Sequence, residues 1–166
     1  MQIIHAHEPI PSNLPCLFLA GPTPRAQEVC SWRPKVVALL EARGLTDDFS
    51  LVLPEFRTAT INETLEHEEH YRQVQWEWSA LGQANVILFW VPRDLETLPG
   101  FTTNVEFGYW AAKAPEKVVL GFPVGAPKME YLETLAKAHS IPVSSSLGET
   151  VENALNLLLE LLGQAK

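Results

Sequence analysis

Apolar residues in this chain fall into short unbroken runs, separated by longer stretches in which they recur every third or fourth position. The runs are Cys16–Ala20 (CLFLA), Leu51–Leu53 (LVL), Val86–Val91 (VILFWV), Val118–Phe122 (VVLGF) and Ile141–Ser144 (IPVS). Unbroken runs of this length are what strands look like when both faces of their sheet are covered. Between them, Ser31 is placed to cap a helix from about Trp32 to Arg43, with Gly44 just past its end. Helical spacing then links Tyr71, Val74, Trp78 and Leu81, and next Val105, Gly108, Tyr109 and Ala112. It also links Tyr131, Leu132 and Leu135, and finally Val151, Leu155, Leu158 and Leu162. Each set predicts one helix with an apolar stripe.

Strands and helices therefore alternate, five of each, which predicts an α/β sheet covered by helices on both faces. Right-handed crossovers leave few arrangements. The expected one is a flavodoxin-like, Rossmann-like doubly wound parallel sheet of five strands in the order 2-1-3-4-5. A chain of 166 residues fits one such domain, residues 1–166, with 1–14 as an extended N-terminal arm. In this order the chain reverses direction between the first and third predicted strands. Ligands bind at such a point, beyond the carboxyl ends of the strands. Two loops converge there: Gly21-Pro22-Thr23-Pro24-Arg25 after the first strand, and Pro92 through Thr103 after the third.

Composition narrows the partners. At 46% hydrophobic and 19% charged, the chain can bury a core. A net charge of −8 argues against a nucleic-acid polymer, because few cations are available to displace its counterions. A small anionic ligand stays open. The two cysteines, Cys16 and Cys30, read as buried or semi-buried thiols in a reducing compartment. The start, MQIIHAHEPIPSN, lacks the basic and apolar regions of a signal peptide, and no run reaches the roughly 18 apolar residues that span a membrane. A cytoplasmic protein is expected.

Few groups carry candidate chemistry. Glu106 stands at the predicted switch point, yet Thr103-x-x-Glu106 also matches a capping box, in which the Glu serves the helix start. The GPTPR loop reads equally as a rigid turn and as a wall for sugar or phosphate, and Arg25 as an anion ligand or a solvated cation. Glu77 flanks the stripe of Tyr71, Val74, Trp78 and Leu81 and reads as an ordinary boundary residue. In an unbroken helix running down from the site at Glu66, eleven residues would carry Glu77 about 16 Å away. His67 and His70 share a helix face without a third ligand at suggestive spacing, so no metal site is expected. GxSxG, HExxH and CxxC are missing, which leaves serine-hydrolase and zinc readings without support.

Three stretches together resemble a known family. LFLAGP (Leu17–Pro22) is similar to the YxAGP opening of nucleoside 2-deoxyribosyltransferases and the related deoxynucleoside 5′-monophosphate N-glycosidases. WEWSALGQANVILFW (Trp76–Trp90) resembles their D-L-x-x-L-x-x-A-D segment and the strand after it. TTNVEFGYWAA (Thr102–Ala112) resembles the helix start that carries their nucleophilic Glu. The resemblance spans roughly Leu17 to Phe122 and keeps the motifs in order.

That resemblance implies cleavage of an N-glycosidic bond, or exchange of the base, on a nucleoside or nucleotide. Glu106 would be the nucleophile that forms a glycosyl ester, and Glu77, aligned with the family's Asp, the acid for the leaving base. Phe18, Gly21, Pro22, Trp90, Arg93, Thr102 and Thr103 would line the substrate. No cofactor and no membrane partner is implied, and a homo-oligomer is. Three positions depart from the pattern: Phe18 replaces a Tyr, Gly100 an acid six residues before the nucleophile, and Asn85 an Asp. These departures keep a second reading open, a nucleotide-binding or sensing module on the same scaffold without turnover.

Overall fold

The computed structural model describes residues 1–25, 28–44, 49–57 and 67–164; of His67, Leu162 and Gln164 it describes the backbone alone. Among the described residues one sheet contains β1 (Gln2–Ile4), β2 (Cys16–Ala20), β3 (Ser50–Val52), β4 (Val86–Trp90), β5 (Val118–Gly121) and β6 (Val143–Ser144). The order is β1-β3-β2-β4-β5-β6, and every neighbouring pair is parallel. Without β1 this is the predicted flavodoxin-like order. The sixth strand comes from the segment expected to be an extended arm, where Gln2, Ile3 and Ile4 pair with Ser50, Leu51 and Val52. Its three residues run from exposed to buried, as suits a short edge strand, and are too few to make a legible run.

Two helical layers cover the sheet. On one face lie α2 (His67–Gln83), α3 (Phe101–Lys113) and α4 (Glu130–Ala138), packed on Phe18, Ala20, Ile87 and Phe89. On the other lie α1 (Arg33–Glu41) and α5 (Leu147–Gln164), packed on Leu17, Leu19, Leu88 and Trp90. Every residue of β2 and β4 is buried, which accounts for their unbroken apolar runs. In α5, Val151, Leu155 and Leu158 are buried as expected, while the side chain of Leu162 lies outside the described residues.

Two predicted stripes differ from the observed buried faces, that of α2 in part. Tyr71 and Trp78 of α2 are 60% and 63% exposed, Val74 is half-buried and Leu81 is buried as predicted, joined on the inward side by Gln73 and Ala80. In α3, Val105 and Tyr109 are exposed, and Thr103, Phe107, Trp110 and Ala111 are buried. Phe107 meets Phe89 of β4 edge-on at 5.3 Å. Both helices carry apolar residues on more than one face. Spacing alone does not select between faces, whereas packing against β4 and the helix ends does.

Helix α1 begins one residue later than predicted. Ser31 precedes the cap position, and its hydroxyl accepts the Arg33 N–H at 3.2 Å. Cys16 and Cys30 are both free, but only Cys16 is buried; Cys30 is exposed, contrary to expectation. Among the described residues no helix is long and apolar enough to cross a membrane.

Candidate active site

A cavity of about 240 Å³ opens where the carboxyl ends of β2, β3 and β4 meet. Its walls are the loop after β2 (Gly21 to Arg25), Pro54 after β3, the start of α3 (Gly100, Phe101, Thr102 and Glu106) and Glu77 from α2. Chain direction reverses between β2 and β4, so this is the predicted switch point.

The helix start decides how Glu106 is used locally. Gly100 is the N-cap of α3 with φ +65°, a left-handed conformation that glycine adopts without penalty. Phe101 is thus the first helical residue, Thr103 the third and Glu106 the sixth. Thr103 lies inside the helix, buried, and makes no capping bond. The capping-box reading of Thr103 and Glu106 is therefore overturned. Glu106 is half-buried and lines the cavity. Burial, and then the charge of Glu77, push its carboxyl up to about 8, against a smaller pull downward from Arg33.

Helix α2 is unbroken from His67 to Gln83, and Glu77 lines the cavity all the same. The expectation that an unbroken helix carries Glu77 away from the site fails because α2 does not begin there. Its 17 residues span about 25 Å, more than the roughly 17 Å of a five-residue strand, so its N-terminal part overshoots the sheet. Mid-helix contacts fix the height. The Gln73 amide donates to Pro54 O at 3.2 Å and to Glu77 Oε1 at 2.7 Å, and Trp76 Nε1 donates to Glu8 O at 3.1 Å. Burial raises the Glu77 pKa, while Gln73, Arg33 and His70 pull it down. His70 is exposed, and the side chain of His67 lies outside the described residues.

A charged residue that sequence reasoning missed lies behind both acids. Arg33, the first residue of α1, is 1% exposed and lines the cavity. Its guanidinium donates to Leu19 O (3.2 Å), Gly21 O (2.8 Å), Thr23 Oγ1 (3.3 Å) and Glu55 Oε1 (2.6 Å). It also stacks on the Trp32 ring at 4.7 Å, and Trp32 Nε1 donates to Pro22 O at 3.1 Å. The loop after β2 has two prolines and spare carbonyls, and these two side chains satisfy them. A signal was present in the sequence. A cation in the first turn of a helix opposes the macrodipole, and Arg33, Val36 and Leu40 share one buried stripe.

Among the other expected substrate residues, Phe18, Gly21, Pro22 and Thr102 line the cavity. Three do not. Trp90 packs in the core on the α1/α5 face. Thr103 is buried within α3. Arg93 is buried and donates to Lys128 O at 2.7 Å and to Asn104 Oδ1, which ties the start of α3 to the loop before α4. Among the described residues no group of three or more His, Cys, Asp or Glu is placed to hold a metal.

A family model described as nucleoside 2-deoxyribosyltransferase like matches residues 15–123. The chain belongs to that family. No curated protein matches the chain. The matched span contains Phe18, Arg33, Glu55, Glu77 and Glu106, whereas β1, α4, β6 and α5 lie outside it. The departures from the deoxyribosyltransferase pattern have local explanations. Asn85 exchanges bonds with Cys16, whose N–H reaches Asn85 Oδ1 at 2.8 Å while the Asn85 N–H reaches Cys16 O at 2.9 Å, and so aligns β4 with β2. Gly100 supplies the left-handed cap. Phe18 lines the cavity without a hydroxyl.

Proposed function

We propose that this deoxyribosyltransferase-like chain cleaves the N-glycosidic bond of a nucleoside or nucleotide through a covalent glycosyl-Glu106 intermediate. The observation that carries this reading is that Glu106 and Glu77 line one cavity at the switch point of the sheet. An ionised Glu106 oxygen attacks the anomeric carbon, and the carbon–nitrogen bond breaks with its electron pair on the base. The base takes a proton from Glu77. Water, deprotonated by Glu77, or a second base then displaces Glu106 with net retention. Two displacements replace one difficult step, and two carboxyls divide the acid and nucleophile roles as in retaining glycosidases. Positive charge growing on the sugar favours the arrangement with the charge on Glu106 and the proton on Glu77.

The test is direct. Purified protein is incubated with a panel of deoxynucleosides and deoxynucleoside 5′-monophosphates, with and without a free base, and the products are separated. Base release or exchange is expected, with Glu106→Ala lowering it on the order of 10³-fold or more. An intact panel, or an active Glu106→Ala protein, sinks the proposal. Phe18 and Gly100 favour one other reading, binding without turnover. Thermal stabilisation by nucleotides with no base released would select it.

A homo-oligomer belongs to the same proposal. Tyr71 and Trp78 of α2, with Val105 and Tyr109 of α3, leave large apolar groups exposed on one face of the sheet. Sedimentation of a dimer or larger species that Trp78→Glu converts to monomer is the expected result. A wild-type monomer at high concentration removes this part.

A further inference from the structure

One buried positive charge, Arg33, reaches the cavity from the sheet's far side, and three carboxyls compete for it. Arg33 is fully buried, where an uncompensated cation is costly. Three of its four acceptors, Leu19 O, Gly21 O and Thr23 Oγ1, are neutral. Among the described residues Glu55 is the one acid in contact with it, at 2.6 Å, and Glu55 is itself one-fifth exposed and accepts the Ser31 hydroxyl at 2.8 Å. Glu77 and Glu106 feel the same guanidinium through space, and all three of these side chains line the cavity. The charged groups around the acid pair are few. Among the described residues they are Arg33 from α1 with Glu55 behind it, His70 about two turns from Glu77 on α2, and Arg25 in the cavity wall.

We propose that Arg33 is the positioning residue that sets how the Glu77–Glu106 pair holds its proton, with Glu55 as the counter-charge that tunes it. This rests on the N-glycosidic reading for its functional meaning, but not for its test. The planar fork spans both ends of the loop after β2 and the carboxylate of Glu55, so the charge is fixed in place rather than carried on a flexible stem. Glu55 neutralises part of it. What is left over lets the pair lose one proton and not two, which is the state in which one carboxyl attacks while the other donates. A purely mechanical clamp on Leu19 O and Gly21 O would leave the acids' titration untouched.

The experiment is a carbon-13 NMR titration of the side-chain carboxyls in ligand-free protein, with Glu106→Gln and Glu77→Gln assigning the two signals. Glu55→Gln keeps the size and the Ser31 contact but returns the whole charge of Arg33 to the cavity. The Glu106 midpoint is expected to fall by about one pH unit, a tenfold change in its protonation equilibrium. Arg33→Met is expected to move it upward, and Arg33→Lys to move it less than Arg33→Met. If Arg33→Met does not fold, Glu55→Gln alone carries the test. Midpoints unchanged in a folded Glu55→Gln protein overturn the proposal. Where base release is measurable, the alkaline limb of its pH profile should follow the Glu106 NMR midpoint. Shifted midpoints without base release from any substrate would leave this proposal standing and remove the glycosidic one. Base release with fixed midpoints would do the reverse.

Discussion

Glu106 of α3 and Glu77 of α2 line one cavity, and burial together with the charge of Glu77 pushes the Glu106 carboxyl up to about 8. Two acids in one pocket cannot both ionise cheaply, so they titrate as a pair. The proposed reaction needs the singly protonated pair. With two protons there is no nucleophile, and with none there is no acid for the leaving base. kcat/KM should therefore rise with pH, level off, and fall above about pH 8, approaching tenfold per pH unit. A pH–rate profile on one good substrate measures this. A profile that stays level from pH 7 to 10 contradicts the assignment.

The same shift acts on stability. The folded state raises the Glu106 pKa above its ordinary 4.5, so folding favours the protonated carboxyl. That contribution is fully present below about pH 4.5 and is lost as pH rises through about 8. Glu106→Gln has no charge to bury and avoids the loss. Its melting temperature relative to wild type should climb from pH 5 to pH 9, for a stability gain on the order of 2–4 kcal/mol. A difference that stays constant across that range shows that Glu106 titrates normally in the fold.

Strand order was legible because β2 and β4 are buried on both faces and write their burial as unbroken apolar runs. Edge strand β1 was not, since three residues with one buried position resemble any short loop. That Glu106 lies at the cavity was legible through its place after the third predicted run, while its position within the helix was misread. The αL cap at Gly100 starts α3 three residues before Thr103, and a capping box takes no account of backbone conformation. Arg33 escaped notice because its acceptors, Leu19 O, Gly21 O and Glu55, come from segments far apart in sequence. Tyr71 and Trp78 misled for the opposite reason. They are large apolar residues at helical spacing with Leu81, yet Gln73 and Ala80 hold the inward positions beside it. There a small side chain allows close approach, and an amide reaches Pro54 O.

Glu77 offers a test that separates acid catalysis from binding. If it protonates the departing base, Glu77→Gln should slow release of a base that leaves poorly without a proton by about 10²–10⁴-fold. A substrate with an activated leaving group should lose far less, and KM should change little for either. Equal losses with both leaving groups would assign Glu77 to holding the cavity in shape, through its bond from Gln73 Nε2.

Gly21 provides a test of how the cavity is framed, independent of its chemistry. It follows β2 directly, with φ +148°, and a Cβ there would lie 2.1 Å from the Trp90 carbonyl oxygen and 2.9 Å from Trp32 Cζ2. The first neighbour is backbone of β4 and cannot swing aside. The second is the ring whose Nε1 holds Pro22 O. Gly21→Ala should therefore push the GPTPR loop away from β4 and destabilise the protein by about 3 kcal/mol, from overpacking and backbone strain together. Gly108 in the middle of α3 is the control, because a Cβ there meets nothing within 4 Å. Its replacement by Ala should be neutral or stabilise by up to about 1 kcal/mol through helix propensity. Urea midpoints of the two variants measure the contrast. If Gly21→Ala is as stable as Gly108→Ala, the loop after β2 is not pinned between Trp32 and the end of β4, and the cavity wall it forms is free to move.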